Sequence, residues 1–273
     1  MSQISLSRPA SAVHRITGHR AFERCARGGF VMAGVVHLLI GYLAVRIAFG
    51  SGGGATDQSG AMAALAAEPG GVLVLSVGVA AFAFMALWRL AEAILGIGTR
   101  AAQKDGGSAV LHRAKAFAVA LVYLSYGVTA FAFARGSGRS SSGESAGLSA
   151  RLMQSSAGSA ALVVAGLVIV AVGGYHVYKG VTQKFMKELR TDGALLRRLG
   201  TVGYLSKGFA IGGVGVLVIV AVAQADPGKA GGLDAALKTL GAQPFGMFLL
   251  IVAGLGIATY GLYDFACARY ARM

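Results

Sequence analysis

The chain has 273 residues, 55% hydrophobic and only 13% charged, with a mean hydropathy of +0.66. A soluble domain carries about 25% charged residues, so this composition cannot cover a water-facing surface. The formal charge of +14 falls between long apolar runs rather than on one stripe, which excludes a nucleic-acid groove.

Residues 1–27 are polar and basic and precede an apolar run. That run is long enough to span a membrane, and no small-x-small site precedes a soluble domain, so the segment reads as an uncleaved tail. Six apolar stretches follow, at Gly29 to Phe49, Gly70 to Leu95, Ala116 to Ala134, Ala157 to Tyr178, Gly208 to Gln224 and Pro244 to Ala266. Each supplies close to the 20 or so residues that cross a hydrocarbon core. They are continuous rather than alternating, which predicts helices and excludes a barrel. The fold class is therefore all-α, a polytopic membrane protein of six transmembrane helices.

Lys and Arg set the orientation. Eighteen of the 25 basic residues fall in the N-terminal tail, the second-to-third and fourth-to-fifth connections and the C-terminus. Both termini are expected in the cytoplasm, with the protein in a bacterial plasma membrane. The middle outer loop, with Arg135, Arg139 and Arg151 against Glu144, carries the weakest bias.

The six stretches pair into three copies of one hairpin, over 28–98, 112–185 and 199–273. Gly41 aligns with Gly127 and Gly215, Gly71 with Gly158 and Gly246, and Trp88 with Tyr175 and Tyr263. All three copies enter from the same side, which predicts pseudo-three-fold symmetry about the membrane normal. The second outer loop, RGSGRSSSGES from Arg135, departs from the other two. Those two hold short amphipathic segments, Gly60 to Leu65 and Leu233 to Leu240, expected to lie on the membrane surface. Gly208-x-x-x-Gly212 and Gly254-x-x-x-Ala258 are patterns that let helices approach closely.

The third hairpin carries DPGKAGGLDAALKTL from Asp226, then QPFG and the closing ARYAR from Ala268. With GGF from Gly28, GYLA from Gly41 and YHVYKG from Tyr175, it resembles the bacterial family called domain of unknown function 1206. The resemblance implies inner-membrane proteins of three such repeats. It implies no activity and supplies no functional residues.

Two candidate polar sites stand out. His37 lies near the middle of the first span, where an unpaired imidazole is costly and must face protein. Thr259 and Tyr260, at a similar depth, are its expected partners. Arg89, His176 and Asp264 share one repeat position, directly after Trp88, Tyr175 and Tyr263. They form either a ring of polar groups about the axis or ordinary anchors at the cytoplasmic interface, the latter favoured by depth. Cys25 and Cys267 lie in basic flanking segments without metal-site spacing, so no metal or cofactor is expected. No nucleophile with a base and no paired carboxylates point to an enzyme. The expected partners are the lipid bilayer and other membrane proteins. An accessory or scaffold role is favoured, with a small transporter or channel for protons, ions or a small solute as the alternative.

Overall fold

A computed structural model describes residues 20–51, 53–96 and 108–272. The tail up to residue 19 and the connection holding Arg100 and Lys104 lie outside the described residues. Each repeat is a long, a short and a long helix. The first has α1 (Arg20–Ala48), α2 (Gln58–Ala67) and α3 (Gly71–Leu95). The second has α4 (Ala109–Ala134), α5 (Ser141–Leu152) and α6 (Ser156–Val181), and the third α7 (Ala194–Ala223), α8 (Gly232–Gly241) and α9 (Gly246–Tyr270). The six long helices are long and apolar enough to cross a membrane. Both described ends lie on one face, here the terminal face, and the three short helices lie on the opposite, cap face.

Three spans begin earlier than hydropathy predicts, α1 at Arg20, α4 at Ala109 and α7 at Ala194. With 30 residues, α7 rises about 45 Å against a hydrocarbon core of about 30 Å. Its first turns, ALLRRLG, extend past the apolar layer. The divergent second outer loop is helical like the others. Ser140 caps α5 by accepting from the Gly143 amide, and the helix buries Ser149. An apolar pattern could not reveal a helix built mainly of serine, glycine and alanine.

The short helices do not simply lie on the surface. Asp234, only 5% exposed, accepts from the Thr56 amide at 2.7 Å, Ser142 Oγ at 3.2 Å and Lys238 Nζ at 2.8 Å. Ser59 Oγ accepts from the Ser141 amide at 3.0 Å while donating to Asp57. One buried carboxylate thus ties together groups from all three repeats and closes the cap face with a polar knot. Buried polar groups persist only when satisfied in this way.

Helices pack most closely between repeats rather than within them. The last long helix of each repeat lies against the first of the next, as α3–α4, α6–α7 and α9–α1, which closes the three-fold cycle. Within repeats, α1–α3 and α7–α9 pack more loosely, and α4 and α6 scarcely touch. Aligned glycines make the close contacts. A Cβ on Gly41 would stand 2.5 Å from the Gly254 carbonyl oxygen, and one on Gly34 would stand 2.9 Å from that of Gly261. The α6–α7 pair repeats this, with Gly208 against Gly173 and Gly215 against Gly166. Without a hydrophobic drive between helices in lipid, such backbone approach is a main source of association.

Gly41→Leu should therefore lower the melting temperature in mild detergent sharply, at a cost of about 1–3 kcal/mol or more from overpacking. Gly213→Ala, where an added Cβ meets nothing within 4 Å, should be neutral. Thermal unfolding of the two variants checks this, and equal effects would refute the glycine contact as the fastening.

Candidate functional site

His37 meets Asp264. The His37 Nδ1 lies 2.8 Å from Asp264 Oδ2 and 2.8 Å from the Ala33 carbonyl oxygen, which accepts its hydrogen bond. Side chains lean toward the N-terminus of their own helix. Helices α1 and α9 run antiparallel, so His37 leans to the terminal face and Asp264 toward the cap face. Both side chains are buried, at 12% and 6% exposure. Tyr260 packs edge-on to the imidazole at 5.0 Å. Thr259, an expected partner, instead donates to Leu255 of its own helix at 2.8 Å.

Asp264 Oδ2 accepts no well-aligned hydrogen bond among the described residues. An amine also faces it: Lys207 of α7 interacts electrostatically with Asp264, and its Nζ sits 4.1 Å over the Tyr260 ring. Lys207 is absent from the sequence candidates because hydropathy starts the fifth span after it, at Gly208. The pair recurs in altered form at the other inter-repeat contacts. The positions of His37 and Asp264 become Tyr123 and Arg89 at α3–α4, and Ile211 and His176 at α6–α7. At these equivalent positions, only the α1–α9 contact joins an imidazole to a carboxylate.

Arg89, His176 and Asp264 do not touch one another. Arg89 pairs with Glu92 at 2.8 Å, and Glu92 also faces His112 at 3.1 Å. The His176 Nδ1 hydrogen-bonds the Val172 carbonyl at 2.8 Å and its ring stacks on Tyr204 at 5.9 Å. The preceding aromatics also differ. Tyr175 is 49% exposed, as an interfacial anchor would be, whereas Trp88 and Tyr263 are buried. Between these positions lies an aromatic cluster of Phe185, Tyr204, Tyr260 and Tyr263.

The terminal face holds groups that motif reading passed over. Arg27 donates to the Ala268 and Ala271 carbonyls, each at 2.8 Å. Arg113 does the same for α3, donating to Ala93 and Ile94. Both are first-helix arginines of their repeats, satisfying orphan carbonyls at the end of a neighbouring helix. Glu188 ends a 3₁₀ turn, Lys184–Glu188, after α6. Its carboxylate accepts from Lys115 of α4 at 3.1 Å and from Lys179 of α6 at 2.7 Å. Lys179 also donates to Tyr204 Oη at 2.9 Å. Burial would raise the Glu188 carboxyl, but Lys179 and Lys115 outweigh it and hold the group at about 2. The side chain keeps 48% exposure, so the solvent-screened pair stabilises modestly.

No group of three or more His, Cys, Asp or Glu side chains that could hold a metal ion occurs among the described residues.

Fold and polar sites together define a multi-pass helical membrane protein of three tandem long–short–long repeats with ionisable groups inside the bundle. The chain belongs to the family described as Domain of Unknown Function (DUF1206), whose model matches residues 28–96, 114–183 and 202–271. It is similar to the uncharacterized protein YxxB of Bacillus subtilis strain 168, with 29% identity over 260 residues and 92% of each chain covered. No solved structure matches it.

A lowered carboxyl pKa contributes stability above the ordinary value of 4.5 and loses it as pH falls toward about 2. Wild type should therefore melt above Glu188→Gln at neutral pH. The gap should shrink below about pH 4.5 and vanish near pH 2, and thermal melts across that range would show it. A gap independent of pH would contradict the ion pairs.

Proposed function

We propose that the protein moves protons, alone or coupled to a small solute, through a centre formed by His37 and Asp264. The observation that carries this reading is an imidazole 2.8 Å from a carboxylate inside the bundle, where ionisable groups are costly and mark pathways by default. When the ring turns its Nδ1–H from the Ala33 carbonyl to Asp264 Oδ2, that proton can pass across, and an imidazolium–carboxylate pair becomes two neutral groups. Neither state adds net charge to the membrane interior. Protonating Asp264 also removes the charge that faces Lys207, which links the proton to α7. The reading is non-enzymatic. The basic-residue bias supports an orientation with both termini in the cytoplasm and the cap face outside the plasma membrane.

A scaffold role is the second reading. It is favoured by the lipid-facing surfaces of α4, α6 and α7, which bury a smaller share of their apolar windows than α1, α3 and α9 do. Those surfaces could receive other membrane proteins.

In proteoliposomes, wild type should conduct protons, and His37→Gln and Asp264→Asn should each abolish the flux with little change in melting temperature. An amide replaces the hydrogen bond but does not titrate near neutral pH. Absence of flux in wild type, or full flux in both variants, would sink the proton reading and leave the scaffold. Reporter fusions after Gly54 and after Arg272 should give opposite compartment signals, and identical signals would refute the orientation.

A further inference from the structure

The α4–α6 contact is the one place where the three-fold cycle opens. These helices belong to one repeat, yet they scarcely pack against each other. Their long apolar side chains, among them Leu124 and Val128 on α4 and Leu167 and Val168 on α6, are more than half exposed. At the terminal face the two helices are linked by Glu188, whose carboxylate lies between Lys115 of α4 and Lys179 of α6. Arg89 of α3 adds a third cation that interacts electrostatically with Glu188. Its Nε is buried without a hydrogen-bond partner among the described residues.

A carboxylate held between two ammonium groups from different helices is an anion site filled by the chain's own side chain. We infer that the terminal-face end of the α4–α6 seam binds an anionic phospholipid, whose phosphate displaces Glu188 from Lys115 and Lys179. The acyl chains then lie in the open seam. Three features favour this occupant. Cations outnumber the single clasped carboxylate, and a phosphodiester meets them with two charged oxygens. Glu188 is half exposed at the end of a short turn, hence displaceable. The site also continues into a hydrocarbon-facing seam, which a lipid fills and a soluble anion does not. Basic pockets between transmembrane helices recognise lipid headgroups in this manner. The inference is independent of proton movement at His37.

The test adds phosphatidylglycerol, phosphatidylcholine or sodium phosphate to the full chain in a neutral detergent. It follows melting temperature, with retained lipid counted by native mass spectrometry. Phosphatidylglycerol alone should be retained and raise the melting temperature. Glu188→Gln should bind it about fivefold more tightly, the scale of one competing ion pair, and Lys115→Gln about fivefold more weakly. Lys187→Gln, with the same charge loss on the same turn, should bind as wild type does. Equal retention of phosphatidylcholine would overturn the site, and an equal rise with phosphate would make it a free-anion site. Binding by Glu188→Gln no tighter than wild type would overturn the displacement. Indistinguishable Lys115→Gln and Lys187→Gln would reduce it to general surface charge.

Discussion

The structure depends on the close approach of the last long helix of one repeat to the first of the next. Lipid offers no hydrophobic drive for two apolar helices to meet, so association rests on backbone proximity and dispersion. Paired glycines supply both at α9–α1 and α6–α7. At α3–α4 the contact is looser, since a Cβ on Gly127 would stand 3.6 Å from that of Phe82. A repeat is therefore not a self-contained hairpin. Its long helices belong to neighbouring interfaces, and the bundle is held by contacts that cross repeat boundaries.

That arrangement decides which polar groups meet. His37 and Asp264 are 227 positions apart in the chain, yet they face each other because α9 returns against α1. The same geometry sets Arg27 on the last carbonyls of α9 and Arg113 on those of α3. Polar satisfaction is handled differently on the two faces. At the cap face, Asp234 fastens three repeats together by hydrogen bonds. At the terminal face, Glu188 spans a contact that helix packing leaves open.

Three-fold repetition also shows where the repeats diverged. The position held by Asp264 is arginine in the first repeat and histidine in the second. The position of His37 is tyrosine in the second and isoleucine in the third. One architecture thus carries three chemistries, and at these two positions a single interface combines an acid with an imidazole.

The sequence by itself determined the solvent, the number of spans and the repeat. Continuous apolar runs in hydrocarbon admit only helices, and glycines and aromatics recurring at fixed offsets expose the repeat without coordinates. It also singled out His37 and Asp264, each for its own reason, but assigned them to separate sites. Their meeting was not legible, because helical depth counted along one chain ignores the opposite lean of side chains on antiparallel helices. Helix α5 was hidden for another reason, since its polar residues carry no apolar period. Lys207 was hidden because a hydropathy boundary placed it outside the span. The opening between α4 and α6 could be decided only by tertiary structure. Repeat similarity predicts three equivalent contacts, whereas packing depends on the particular side chains that each pair of helices presents.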